Sequence, residues 1–250
     1  MGATELWLVR HGESVANVAA TAAMDSGEET IPVEFRDADV PLSPLGEEQA
    51  SSLGDWLAEH GRADAPAAAW ASSYLRAQQT LAIALERSGL SVTTAVDERL
   101  RDRELGILDL LTPHGVDVRY PDEAARRTWV GRFYYRPPGG ESWADVALRV
   151  RSFLADVDLH HDGGRILVAS HDAVVMLFLY VCIGMSEREL IDFGRTHTVT
   201  NASVTRLSRP SGTGAWTLDV FSHDDHLADH PSDDGAMKTE HPGDRVDDER

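Results

Sequence analysis

Apolar positions in this chain fall into two rhythms, short continuous blocks and longer stretches with helical spacing. Leu6-Trp7-Leu8-Val9 is a continuous block that stops at Arg10-His11-Gly12, the pattern of a strand buried on both faces. Ser43-Pro44 then marks a helix start, with Ser43 as N-cap and Pro44 in the first turn. Leu53, Trp56, Leu57 and His60 share one face of that helix, and Gly61 ends it. Residues 67–71 predict a second strand made of small residues. Ser72-Ser73 predicts the cap of a helix that turns Ala77, Leu81, Ala84 and Leu85 inward and closes at Gly89. Residues 91–96 form a β-branched strand, and Val146, Val150, Phe153, Leu154 and Val157 mark a further helix. Residues 165–170 predict a strand followed at once by an apolar helix over 173–185. Two last strands, 202–207 and 215–221, flank the turn Ser211-Gly212-Thr213-Gly214.

Strands alternating with helices predict a three-layer α/β fold, a mainly parallel central sheet with helices on both faces. Ligands of such sheets sit beyond the carboxyl ends of the strands. Arg10-His11, Ser72-Ser73 and Ser170-His171 each follow directly on a predicted strand. They are therefore expected to meet at one rim although they are far apart in sequence.

The chain has 250 residues with 23 Lys+Arg against 42 Asp+Glu, a formal charge of −19. That is enough chain for one domain with a substantial core. Its acidity argues against nucleic acid or an anionic membrane as partner, since both are polyanions. The single cysteine, Cys182, excludes an internal disulfide and a multi-thiolate zinc site, and reads as a small buried residue. The apolar run 173–185 is too short to span a bilayer, and the first residues do not look like a secretory signal. A cytoplasmic protein is the expectation. Residues 222–250 hold ten acidic, three basic and four histidine residues and almost nothing apolar. This composition predicts a disordered acidic, His/Asp-rich tail behind a domain of residues 1–221.

Arg10, His11, Arg76 and His171 supply the chemistry of a phosphate pocket. Guanidinium groups bind phosphate oxygens in forked pairs and stay charged, while a neutral histidine is a nucleophile toward phosphorus. Leu8-Val9-Arg10-His11-Gly12-Glu13-Ser14, with Asn17 after it, resembles the RHG signature of the histidine phosphatase superfamily, the phosphoglycerate mutase-like proteins. Residues 42–50, LSPLGEEQA, are similar to that family's helix-opening motif, and residues 72–80, SSYLRAQQT, to the segment with its second phosphate arginine. Gly140-Glu141-Ser142 and Val168-Ala169-Ser170-His171 match two further elements. Five motifs in order, from about Leu6 to Leu207, make the resemblance specific.

The resemblance implies that His11 forms a phosphohistidine, that Arg10, Arg76 and His171 clamp the phosphoryl oxygens, and that Asn17 contacts the same group. It implies a small phosphorylated substrate and no metal or other cofactor; it assigns no oligomeric state. A carboxylic acid must protonate the leaving oxygen. In the segment Leu100-Arg101-Asp102-Arg103-Glu104-Leu105-Gly106 the family's usual glutamate, four residues before the glycine, is replaced by Asp102. Asp102 ranks first for the role, Glu104 second and Asp172 third. The insertion over about 107–140 is expected to lie over the site as helices and loops. Trp129, Phe133, Tyr134 and Tyr135 line a lid or form the insertion's own core, and Arg136 is a candidate for an anionic substrate group. The leading expectation is a metal-independent phosphomonoester hydrolase. Its rivals are a phosphoglycerate mutase-type phosphotransferase and a non-catalytic phospho-ligand binder.

Overall fold

The strands assemble into one sheet in the order β3-β2-β4-β1-β5-β6 in the computed structural model, which describes residues 2–61 and 65–231. The strands are β1 (Glu5–Arg10), β2 (Ala68–Ser72), β3 (Thr94–Asp97), β4 (Arg165–Ser170), β5 (Val204–Ser208) and β6 (Thr217–His223). The pairs β3-β2, β2-β4 and β4-β1 are parallel, whereas β5 pairs antiparallel with both β1 and β6. Alternation along each central strand divides the core in two. Leu6 and Leu8 of β1 and Ile166 and Val168 of β4 pack with Val146, Val150 and Phe153 of α6 (Trp143–His160) and with α7 (Asp172–Leu179). Trp7, Val9, Leu167 and Ala169 face the other way, onto Leu53, Trp56 and Leu57 of α2 (Pro44–Gly61) and Leu81 and Ala84 of α3 (Leu75–Ser88). This is the expected three-layer α/β arrangement. Among the described residues no helix is long and apolar enough to cross a membrane.

Several boundaries shift for identifiable reasons. Ser72 does not cap α3. It completes β2 opposite Asp97, and its Oγ accepts the Tyr74 N–H at 3.1 Å, so the cap position moves to Tyr74. The apolar run 173–185 is not one helix: α7 ends at Leu179 and a π-helical turn follows over Tyr180–Gly184. Gly184 then adopts a left-handed φ of 77°, and Ser186 caps the next helix, α8 (Glu187–Thr196). β5 starts at Val204 because residues 199–203 form a turn tied to the end of β1. Ala202, at φ 55°, gives its N–H to the carbonyls of Arg10 and His11 at 3.0 and 3.2 Å.

The tail expectation is corrected for its first ten residues. β6 runs to His223, and a 3-10 turn, Asp225–Leu227, packs on α2 with Leu227 buried. The ring of His226 lies 6.1 Å from that of Trp56 and its Nε2 donates to the Ala202 carbonyl at 3.0 Å; His230 pairs with Glu48 at 3.0 Å. Composition counted these histidines as polar, but the rings of His223 and His226 lie near that of Trp56. Residues 232–250, with Lys238 and His241, lie outside the described residues.

The insertion holds α4 (Pro113–Arg119) and α5 (Pro121–Val130). Its aromatic residues divide rather than form one lid. Tyr135 packs with Leu108, Leu111 and Val116, and Phe133 joins the α6/α7 core. Trp129 is 87% exposed, and exposed Tyr134 donates to Glu187.

Candidate active site

Parallel register brings three strand ends level. Arg10 pairs with Ser170 and Ala71 with Ala169, and the His11 N–H donates to the Ser170 carbonyl at 2.9 Å. His11 is fully buried. Its Nδ1 lies 2.6 Å from the Gly12 carbonyl, which only accepts, so the network assigns the proton to Nδ1 and a lone pair to Nε2. Arg76 Nε–H donates to that lone pair at 3.1 Å. The His11 carbonyl accepts from Asn201 Nδ2 at 2.9 Å, and the Gly12 N–H donates to Thr80 Oγ1 at 3.0 Å. Gly12 and Gly46 touch backbone to backbone. A Cβ on Gly12 would lie 2.5 Å from the Gly46 carbonyl, and one on Gly46 2.0 Å from that of Glu13. Both motif glycines therefore serve one close approach of the His11 loop to the first turn of α2.

Arg76 is the hub of the site. Besides His11, its guanidinium donates from NH1 to the main-chain oxygen and to Oδ1 of Asp37, both at 2.8 Å, and from NH2 to Asp102 Oδ2 at 3.3 Å. Asp102 Oδ2 also lies 3.4 Å from Nδ1 of His171, while Oδ1 accepts the Arg103 N–H at 2.7 Å. His171 is fully buried, with Nε2 2.8 Å from Ser72 Oγ and its ring 5.1 Å from that of His11. Tyr74 packs its ring edge on His171 and donates its hydroxyl to Glu104 at 3.0 Å. Burial, then the carboxylates of Asp37, Asp102 and Glu104, push that hydroxyl above the ordinary tyrosine range, so it stays a donor.

The loop that carries Asp102 is held from behind. Arg149 of α6 donates to the carbonyls of Arg99 and Asp102 at 2.6 and 3.0 Å, and Arg103 Nε to the Glu141 carbonyl at 2.8 Å. Glu141 pairs with Arg101 and Arg149 at 2.7 and 3.2 Å. Burial lowers Arg149 from its usual range, and Glu141 opposes that shift. The Gly140-Glu141-Ser142 element thus anchors this loop, while Ser142 caps α6.

A cleft opens above this buried layer. Its walls include Asn17, Ile31, Asp37, Arg76, Asp102, Arg103, Glu104, Asp109 and Leu110. Partial burial, with Asp37 and Glu104 nearby, raises the Asp109 carboxyl above its ordinary value. Arg10, His11 and His171 lie beneath the walls. Arg10 is fully buried at the same strand end, and NH1 donates to the Val199 carbonyl at 2.7 Å. Asn17 lines the cleft and also takes part in the capping box of α1 (Val15–Ser26) with Ser14. Glu104 stands at the exposed rim. Asp172 is buried in the first turn of α7, bonded to its own Ala173 N–H, and is not among the wall residues. Arg136 does not reach the cleft: its side chain, 61% exposed, pairs with Asp145 of α6. Asp145, in the adjoining helix turn, satisfies the guanidinium locally.

No local signal in the sequence marks Asp37, Ser72 as a histidine partner, Thr80 or Asn201; each is brought to the site by tertiary contact. Among the described residues no group of three or more His, Cys, Asp or Glu side chains is arranged to hold a metal ion.

Comparisons with known proteins show the family and the fold. The sequence pattern described as histidine phosphatase superfamily (branch 1) matches residues 6–222. A 2,3-bisphosphoglycerate-dependent phosphoglycerate mutase of Methylobacterium radiotolerans is 33% identical over 75% of this chain and 82% of its own length. A probable phosphoglycerate mutase, GpmB, of an Enterobacter species is 29% identical over 89% of this chain and 94% of its own. Among solved structures, a mycobacterial glucosyl-3-phosphoglycerate phosphatase in complex with VO3 superposes with a TM-score of 0.69 at 27% identity, covering 88% of this chain and 99% of that one.

Proposed function

The chain belongs to the histidine phosphatase superfamily (branch 1), and on that premise we propose that it hydrolyses phosphomonoesters through a phosphohistidine on His11. The observation that carries the reading is the His11 ring. With Nδ1 tied to the Gly12 carbonyl, the ring's lone pair sits on Nε2, where it accepts from Arg76 and lies close to His171. In the first step Nε2 attacks phosphorus in line, the ester oxygen departs, and it takes a proton from Asp102. In the second, Asp102 removes a proton from water as the water oxygen attacks phosphorus, and the N–P bond breaks to release orthophosphate. Arg76, His171 and Arg10 offset the charge on the phosphoryl oxygens. Asp102 is preferred as the proton carrier because it touches both Arg76 and His171, whereas Glu104 stands at the rim.

The mutase reading is the second one, favoured by the names of the curated relatives. A mutase must also hold a substrate carboxylate and shield the phosphoenzyme from water. Beyond the phosphoryl layer, the cleft presents the carboxylates of Asp37, Glu104 and Asp109 against the guanidinium of Arg103, a balance that disfavours a second anionic group. This supports hydrolysis of an ester whose alcohol part carries no further negative charge. Phosphate release from a panel of phosphoesters tests it, alongside conversion of 3- to 2-phosphoglycerate. Orthophosphate release that falls at least about a thousandfold in His11→Ala is the expected result. Isomer interconversion without net phosphate release would establish the mutase instead.

A further inference from the structure

We propose that Asp37 is an internal competitor for the phosphoryl group: its carboxylate holds Arg76 across His11 and must yield when a phosphoryl group binds. The inference rests on the phosphoryl-transfer reading of the site and adds a residue that sets its affinity. Arg76 lies directly on the nucleophilic nitrogen, 3.1 Å from His11 Nε2. Phosphorus cannot approach that nitrogen in line while the guanidinium stays there, so Arg76 must turn toward the incoming oxygens. The carboxylates of Asp37 and Asp102 both hold it, and they differ in exposure. Asp102 is 5% exposed and anchored through Oδ1 to the Arg103 N–H. Asp37 is 34% exposed, so its carboxylate can be solvated where that of Asp102 cannot.

Asp37 also makes two separable contacts. Its main-chain oxygen receives NH1 at 2.8 Å whatever the side chain is, and Oδ1 receives the same nitrogen at the same distance. The carbonyl is enough to position the guanidinium. The carboxylate adds a negative charge on the donor that a phosphoryl oxygen needs, and the two anions also repel each other across the cleft. A site restrained in this way binds anions less tightly than its arginine would allow. It also releases orthophosphate more readily at the end of the cycle.

The test compares the full chain with Asp37→Asn and Asp37→Ala, measuring orthophosphate binding by calorimetry and the KM and kcat for p-nitrophenyl phosphate. Asp37→Asn keeps an acceptor oxygen, removes the charge and brings in an amide N–H, whereas Asp37→Ala removes the charge without adding a donor. Orthophosphate affinity is expected to rise about fivefold in Asp37→Asn and at least as much in Asp37→Ala, the scale of one partly exposed charge pair. KM should fall by a similar factor while kcat changes less than about threefold. Unchanged or weaker orthophosphate binding, or a loss confined to kcat, would overturn the proposal and make Asp37 a positioning residue for Arg76. Calorimetry needs no turnover. A protein that binds orthophosphate more tightly as Asp37→Asn but hydrolyses no ester would therefore support the competition and refute only the hydrolase reading.

Discussion

The rim of the sheet and the insertion over 107–140 border the same cleft, yet they are held together in opposite ways. At the rim, side chains from positions as distant as His11, Arg76, Asp102 and His171 touch directly, and bonds from Ser170, Ala202 and Asn201 fix the loop beneath them. The insertion is a local structure. It packs on its own small cluster around Tyr135, docks on residues 28–31 through Thr112 and Leu110, and turns Trp129 outward. A rim of that kind tolerates little displacement, because moving one group disturbs several partners. The insertion contributes wall residues such as Asp109 and Leu110 to the cleft.

The largest expected effect on the rim side separates the two carboxyl groups that flank Arg103. Asp102→Asn is expected to lower kcat by about a hundredfold to a thousandfold, the scale of general acid–base catalysis. Glu104→Gln should cost less than about fivefold, since its carboxylate faces solvent and Tyr74. Steady-state kinetics on an alkyl phosphate decide this, and equal losses would remove the distinction between them. A mid-sized effect concerns the segment behind the rim. A chain ending at His223 should melt about 5 °C below one ending at Pro231, because it loses the burial of Leu227 and the bonds of His226 and His230. The gap should narrow as pH falls below about 6.5. Burial holds His226 below its ordinary value, so the unfolded segment takes up a proton that the folded one resists, and the stabilisation present at neutral pH is lost on acidification. A gap that is constant from pH 7.5 to 5.5 would show that His226 does not contribute. The smallest effect lies in the insertion: Arg136→Ala should leave kcat/KM within about twofold, as expected of an exposed pair remote from the cleft. A larger loss of kcat/KM would bring this residue back to the substrate.

Particular residues show where sequence reading succeeded and where it stopped. The histidines and arginines at strand ends were legible because a parallel sheet delivers all such ends to one edge. Asp102 was legible as a candidate through the resemblance of residues 100–106 to a family segment. Asp37 was not, since it sits on a 3-10 turn (Asp37–Asp39) whose path is set by packing on α3 rather than by its own composition. For Arg136 the charge was legible but its partner was not, since Asp145 meets it only where the insertion joins α6. Residues 222–231 misled because net charge outweighed the apolar bodies of three histidines and one leucine.

The linear order of apolar blocks and caps determined the layers of this protein, since the period of each block leaves only one kind of element able to bury it. It also determined the chemical types available, with imidazoles and guanidiniums at strand ends. Tertiary structure alone decided which carboxylate meets Arg76, which aromatic residues are inside, and that the guanidinium rests on His11 Nε2. Those outcomes depend on distances of a few ångströms between segments remote in the chain, and such distances are fixed by packing rather than by any local pattern.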